Sequence, residues 1–266
     1  MPAAYVKPYL KRGKTDAADA EAICEAVRRP TMRFFEIKSE DQQAVLAIHR
    51  ARDLVVRQRT QVVNMIRSIL REFQHILPTG IEAVSKFARE HGTEAQLEMP
   101  EIADEILGVM CHQLNGLNAQ VDGLTKLIEQ HAWYDPDARR LMRMPGIGPI
   151  TASAVVATID DAKQFETGLN LAAWLGLTPL NKSSGGRERL GRITKKGDRY
   201  IRKLLIIGMT SRAFMAKNKP EKADIWTAKL FDEKPFRLAT VAMANKSARI
   251  IWAPLTKQEE YRQPIA

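Results

Sequence analysis

The chain is 266 residues long, 45% hydrophobic and 27% charged, with 41 Lys and Arg against 31 Asp and Glu and a formal charge of +10. Such a length and apolar content build a packed core, which excludes a disordered tail, and no apolar run comes near membrane-spanning length, which excludes a transmembrane protein. An excess of cations on a folded, soluble chain points to a polyanionic partner, and nucleic acid comes ahead of an anionic membrane because the excess is concentrated between residues 182 and 203.

The opening "MPAAYVKPYLKRGK" is basic without an apolar segment, so it is no secretory signal and the cytoplasm is the expected compartment. Thr15 can cap a helix over "DAADAEAICEAVRR" that Pro30 stops, and "MRFFEI" after it has the aromatic and branched residues of a short strand. Ser39 with Gln42 forms a capping box, and Val45, Ile48, Val55, Val62, Ile66, Ile69, Leu70 and Phe73 carry one apolar stripe on toward Pro78. After Pro100 a second stripe, Ile102, Ile106, Met110, Leu114, Leu117, Val121, Leu124 and Ile128, has coiled-coil spacing. Neither helix buries its stripe alone. The pair is expected to pack antiparallel across the 78–99 connection or against a second subunit, and an ordinary helical bundle fits the same spacing. From Arg139 onward the pattern changes to short helices and glycine turns, a compact, mainly helical domain whose core is expected from Trp174, Leu175, Leu177, Leu204, Leu205, Ile206 and Met209.

Three motifs carry chemistry. In "MPGIGPITASAVVATI", Gly146 and Gly148 permit a tight turn of helix-hairpin-helix form, whose amides and following helix N-terminus can hold a phosphate oxygen; a plain turn between helices is the alternative. Asp16 and Asp19 stand three apart at a helix start, an arrangement that suits Mg²⁺ through oxygen ligands and that the helix dipole also favours without any metal. The window "KSSGGRERLGRITKKGDRYIRK" holds nine Lys and Arg against Glu188 and Asp198. Its Ser183 and Ser184 could bring a hydroxyl to a phosphate clamped by guanidinium groups, or could simply make a flexible polar loop. Residues 186 to 194 imitate a phosphate-binding P-loop, but Arg192 stands where the lysine belongs and no buried strand precedes it, so nucleotide binding is rejected. Cys24 and Cys111 form no CxxC pair, and His49, His75, His91, His112 and His131 lack ligand spacing, so structural zinc is not expected.

Together, "YVKPYLKRGKTDAADAEAI", "RPTMRFFEIKSEDQQ", "PGIGPITA" and "SSGGRERLGRITKKGDRYIRK", in this order and separated by long helices, resemble the DEDD-plus-serine insertion-sequence transposases of the IS110 group over essentially the whole chain. The resemblance implies a mainly α protein in three parts: the C-terminal remnant of an α/β RuvC-like DEDD domain over 1–38, a long-helix coiled coil over 39–135, and a helical C-terminal transposase domain with a helix-hairpin-helix and a serine loop over 136–266. It implies a transposase, a DNA recombinase, acting on element ends and target DNA in the bacterial cytosol and nucleoid, with guide RNA as a further partner and a homo-oligomer formed through the long helices. Asp16 and Asp19 match the last two DEDD acids and would coordinate Mg²⁺. Ser184, before Gly185, matches the serine that forms the covalent phosphoserine, with Ser183 as its understudy. Arg187, Arg189, Arg192, Lys195, Lys196, Arg199 and Arg202 would position and neutralise phosphate.

The family's first Asp and its Glu lie upstream of Asp16, and residues 1 to 15 hold no carboxylate. The expectation is therefore an N-terminally truncated enzyme with an incomplete Mg²⁺ site, catalytically incomplete alone. Two other readings compete with it: a non-catalytic DNA- or RNA-binding regulator derived from such a transposase, and a helical scaffold. The cations at 182–203 argue against the scaffold.

Overall fold

The computed structural model describes the chain except for residues 2, 11–14, 31, 33, 35–36, 92–96, 184–185, 188, 220–223 and 263–266. It is mainly helical, as expected, with one two-stranded antiparallel sheet among the described residues. None of the described helices is long and apolar enough to cross a membrane. Two compact units divide it, Met1–Glu40 and Asp41–Ala266.

In the first unit a short helix α1 (Ala3–Val6) and a single 3-10 turn lead to α2 (Asp16–Val27). Thr15 caps α2 as expected, its hydroxyl accepting the Ala18 N–H at 3.2 Å, and Asp16 and Asp19 fall in the first turn, where the dipole favours acids. Ala22 and Ala26 form the buried stripe of α2, and the Arg29 guanidinium lies 5.4 Å from the Tyr9 ring centroid. Of the strand expected over 32–37, Arg33, Phe35 and Glu36 lie outside the described residues, while Met32, Phe34 and Ile37 are in no strand. Ile37 is 93% exposed, so no packing holds its side chain against a sheet among the described residues.

The second unit has two cores. The first joins α3 (Glu40–Glu72), α4 (Ile81–Glu90) and α5 (Glu101–Tyr134). Val62, Val63, Ile66 and Leu70 of α3 meet Val84 and Ala88 of α4 and Leu107, Cys111, Leu114 and Leu117 of α5. Arg52 near the start of α3 donates to Thr125 near the end of α5 at 2.7 Å, so the two long helices run antiparallel within the chain. On α5, Leu114, Leu117, Val121 and Ile128 of the expected stripe are buried, but near the helix start the inward face shifts: Leu107 and Cys111 are buried, whereas Ile102 and Ile106 are 69% and 46% exposed. The insertion of α4 causes this, because it draws the Leu107 face of α5 inward. Asn115 and Asn118 fix the contact by donating to the Ala88 carbonyl at 2.9 Å and the Ser85 hydroxyl at 3.2 Å.

The second core gathers α6 (Pro136–Met142), α7 (Pro149–Thr158), α8 (Gly168–Trp174), α9 (Arg199–Asn218), α10 (Ile225–Glu233) and α11 (Phe236–Lys257). Leu175, Leu177, Leu205 and Met209 are buried in it, and Trp174, Leu204 and Ile206 pack against it, so the apolar set read from the sequence is the one found. Between α8 and α9 the chain forms a hairpin of β1 (Pro179–Asn181) and β2 (Leu190–Ile193), with Pro179 opposite Ile193 and Asn181 opposite Leu190.

A buried polar chain ties the two cores together. Ser153 of α7 lies 2.9 Å from His49 Nε2 on α3 and 3.0 Å from His131 Nδ1 on α5, and His49 Nδ1 lies 3.2 Å from the Tyr200 hydroxyl on α9. Each of these groups has a proton to give or a lone pair to accept one, so both ring nitrogens of His49 and the Ser153 hydroxyl are partnered despite their burial.

Candidate nucleic-acid interface

The basic window is a hairpin on a rigid mount. Its base is locked to the turn after α8: the Lys195 N–H donates to the Gly176 carbonyl at 3.1 Å and the Thr194 N–H to the Thr178 carbonyl at 2.9 Å. Glycine is required where the two backbones touch. A Cβ on Gly176 would lie 1.9 Å from the Lys196 carbonyl oxygen, and one on Gly197 would lie 1.7 Å from that of Trp174. Both glycines also have positive φ, +69° and +90°. Asp198 then caps α9 by accepting the Ile201 N–H at 2.8 Å, so the strand leaves the hairpin straight into a stable helix.

Arg202, expected at the phosphate surface, is instead buried at 8% exposure. Its guanidinium donates to the Leu175 carbonyl at 2.8 Å and to the Lys196 and Asp198 carbonyls at 3.4 Å. These donors are spent on the hairpin's base because α9, capped at Asp198, turns residue 202 inward beside Ile201 and Leu205. Arg202 therefore positions the loop. The remaining cations of the window, Lys182, Arg187, Arg189, Arg192, Lys195, Lys196, Arg199 and Lys203, are exposed.

At the tip, Ser183 is exposed and held in place. Its N–H donates to Asn181 Oδ1 at 2.8 Å, and its hydroxyl accepts the Arg189 N–H at 3.0 Å. Ser184 and Gly185 lie outside the described residues.

The "PGIG" turn connects α6 to α7. Gly146 has φ +85° and packs on α9, where a Cβ would lie 2.3 Å from Met209 Cε and 3.2 Å from the Gly208 carbonyl oxygen. Gly148 caps α7 in extended geometry, and a Cβ placed on it would meet nothing within 4 Å. A cavity of about 630 Å³ opens at this turn, lined by Arg143, Arg212 and Lys219 together with Asp224. Two of these cations are partnered: Arg143 pairs with Glu260, and Arg212 pairs with Asp224 at 2.6 Å.

Asp16 and Asp19 are exposed on the first turn of α2, three residues apart and so on one face. Among the described residues no group of three or more His, Cys, Asp or Glu is placed to hold a metal ion. Two carboxylates on one face fit Mg²⁺ as a partial donor set, since this ion usually keeps several waters and takes only one or two protein carboxylates beside phosphate oxygens. They lie in the first unit, and the hairpin and the "PGIG" turn in the second.

The sequence reading missed the cations of α11, Arg237, Lys246 and Arg249, which line a groove beside β2. Their spacing along the helix was the available signal, diluted by the apolar residues between them.

Comparison with known proteins gives a consistent result. A family model described as "Transposase" matches residues 2–75, and one described as "Transposase IS116/IS110/IS902 family" matches residues 138–225. A Pseudomonas aeruginosa protein named "Probable family 20 transposase" is 42% identical over 259 residues, covering 97% of this chain and 77% of that protein. The transposase for insertion sequence element IS1111A of Coxiella burnetii is 36% identical over 262 residues, 97% of this chain and 71% of its own. The transposase for insertion sequence element IS1328 of Yersinia enterocolitica is 34% identical over 258 residues, covering 95% and 75%.

Proposed function

Because this chain belongs to the IS116/IS110/IS902 family of transposases, we propose that it cuts and rejoins DNA at the ends of an insertion sequence through a serine of the hairpin loop. The observation that carries this reading is the exposed hairpin itself, a braced support with cations on its surface and a serine at its tip. In the step envisaged, the serine hydroxyl gives up its proton as its oxygen attacks phosphorus, the bond from phosphorus to one sugar oxygen breaks, and the departing sugar oxygen takes up a proton to become a hydroxyl. A hydroxyl on a second DNA end reverses the exchange and frees the serine. Exposed Arg187, Arg189, Arg192, Lys195, Lys196 and Arg199 neutralise phosphate and hold it for in-line attack.

Ser184 is the better nucleophile of the two. Ser183 already accepts a backbone hydrogen bond, which withdraws electron density from its oxygen and fixes it to the hairpin. Ser184 precedes Gly185 in the Ser-Gly pair that carries the resemblance. The turn at Gly146 and Gly148 serves as a helix-hairpin-helix contact in which the α7 amides meet backbone phosphate while Gly146 packs the turn on α9. Asp16 and Asp19 would hold Mg²⁺ through two carboxylate oxygens, and the ion would supply charge stabilisation to phosphoryl oxygens. The partners in this reading are element-end and target DNA, with guide RNA and a second copy of the chain completing the assembly.

The test is to trap covalent protein-DNA adducts with Ser184→Ala, Ser183→Ala and Asp16→Asn. Loss of adducts in Ser184→Ala with duplex binding retained is the expected result. Adducts that persist in Ser184→Ala overturn the assignment. Salt-dependent DNA binding with no adduct from the unaltered chain leaves a non-catalytic regulator as the function.

A further inference from the structure

Beside the hairpin runs a groove of about 1220 Å³, walled by β2 on one side and α11 on the other, with the start of α8 at one end. Arg192 and Lys195 stand on the hairpin side, and Arg237, Lys246 and Arg249 on the helix side. Among its described lining residues there is no carboxylate. The acid that acts electrostatically on Lys246 is Asp224, which is itself held by Arg212 at 2.6 Å and by the Thr227 hydroxyl at 2.7 Å.

Between the cations the lining is apolar and open. Leu169 and Leu238 are 54% and 55% exposed, Val241 lies one turn along from Leu238, and Trp226 is 37% exposed with Lys246 Nζ 3.7 Å from its ring centroid. Exposed leucines and a tryptophan flanked by cations from both walls are poorly matched to duplex DNA, which offers phosphates outward and keeps its bases stacked inside. They match an unpaired strand, which presents a charge and a flat apolar face at every nucleotide. A lipid surface needs apolar groups that project beyond the cations, whereas here they line a concave channel.

We propose that this groove holds the unpaired DNA strand flanking the phosphate offered to the serine loop, with bases on Leu169, Leu238, Val241 and Trp226 and phosphates on the five cations. The choice of DNA rests on the serine-loop reading above, because the strand β2 that forms one wall also carries that loop.

The experiment uses the full chain and fluorescence anisotropy with three labelled probes: a dT oligonucleotide of about a dozen nucleotides, its duplex with dA, and the matching rU oligonucleotide. Leu238→Glu places a charge on the floor, Arg237→Ala with Arg249→Ala removes charge from the helix wall, and Arg187→Ala with Arg189→Ala alters the hairpin alone. Leu238→Glu is expected to weaken dT binding by about tenfold or more while changing duplex binding by less than about twofold. The helix-wall pair should lower the salt dependence for dT and leave that for duplex, and the hairpin pair should weaken both. The proposal is overturned if Leu238→Glu leaves dT binding unchanged or weakens duplex equally. It is also overturned if rU loses more affinity than dT, or if a glutamate-rich peptide displaces dT from the groove. Failure of the unaltered chain to bind any of the three probes would instead bring down the serine-loop reading.

Discussion

Gly208 on α9 lies so close to Gly146 that a Cβ on Gly208 would stand 2.1 Å from the Gly146 carbonyl oxygen. The turn between α6 and α7 is thus seated directly on the helix that leaves the serine hairpin, with no side chain between them. Gly208→Ala forces one backbone away from the other, and neither can yield without moving its helix. A loss of about 1–3 kcal/mol is expected in urea unfolding. Gly148→Ala, into open space at φ −91°, should cost about 0.5 kcal/mol through the weaker cap alone. Equal losses for the two would show that the close approach does not hold the turn.

His49 gives the protein an acid-sensitive joint. It is 1% exposed, and burial first, then repulsion from His131 and Arg52, pushes its pKa down from 6.5 to about 4. As pH falls through about 6.5 the unfolded chain takes up this proton while folded His49 stays neutral, so stability declines until the pH reaches about 4. The full loss is about 3 kcal/mol. Denaturant titrations at about pH 7 and about pH 4.5 should show a smaller pH dependence for His49→Gln than for the unaltered chain. An unchanged dependence would place the acid sensitivity elsewhere.

Arg202→Ala should destabilise the chain by about 1–3 kcal/mol, because the buried Leu175 carbonyl loses its guanidinium donor and the hairpin's base loses the weaker bonds to the Lys196 and Asp198 carbonyls. Arg202→Lys should recover only part of this, since a single ammonium cannot reproduce the planar fork. Under conditions where both variants are folded, the slope of DNA affinity against salt should match the unaltered chain. A lower slope would make Arg202 a phosphate contact after all.

Replacing Arg187 and Arg189 together by alanine removes exposed cations of the hairpin outside the groove without touching the hairpin's base. If each contacts one duplex phosphate, the slope of log affinity against log salt should fall by about 1.8, at about 0.9 per contact. Anisotropy across a salt series measures it. No change in slope would mean that the hairpin's outer face does not meet DNA.

The helical periodicity of 45–73 and 102–128, the cap at Thr15 and the apolar set around Leu205 were legible because each depends on neighbours a few residues away. The hairpin was not. The four residues of β2 alternate between exposed and half-buried, and those of β1 are all exposed, so no alternation of apolar and polar residues marks them. On α5 the buried face at Leu114, Leu117, Val121 and Ile128 was legible, and only the shift to Leu107 and Cys111 beside α4 was not.

The sequence by itself determined the local elements, the concentration of positive charge at 182–203 and, through four motifs in order, the family. Only the tertiary structure decided what each charged or polar group does. It turned Arg202 from surface to brace, joined His49 to Ser153 across 104 residues of chain, and set the cations of α11 opposite those of β2. The reason is that hydrogen bonding and charge act over a few ångströms of space, and a sequence orders residues only along the chain.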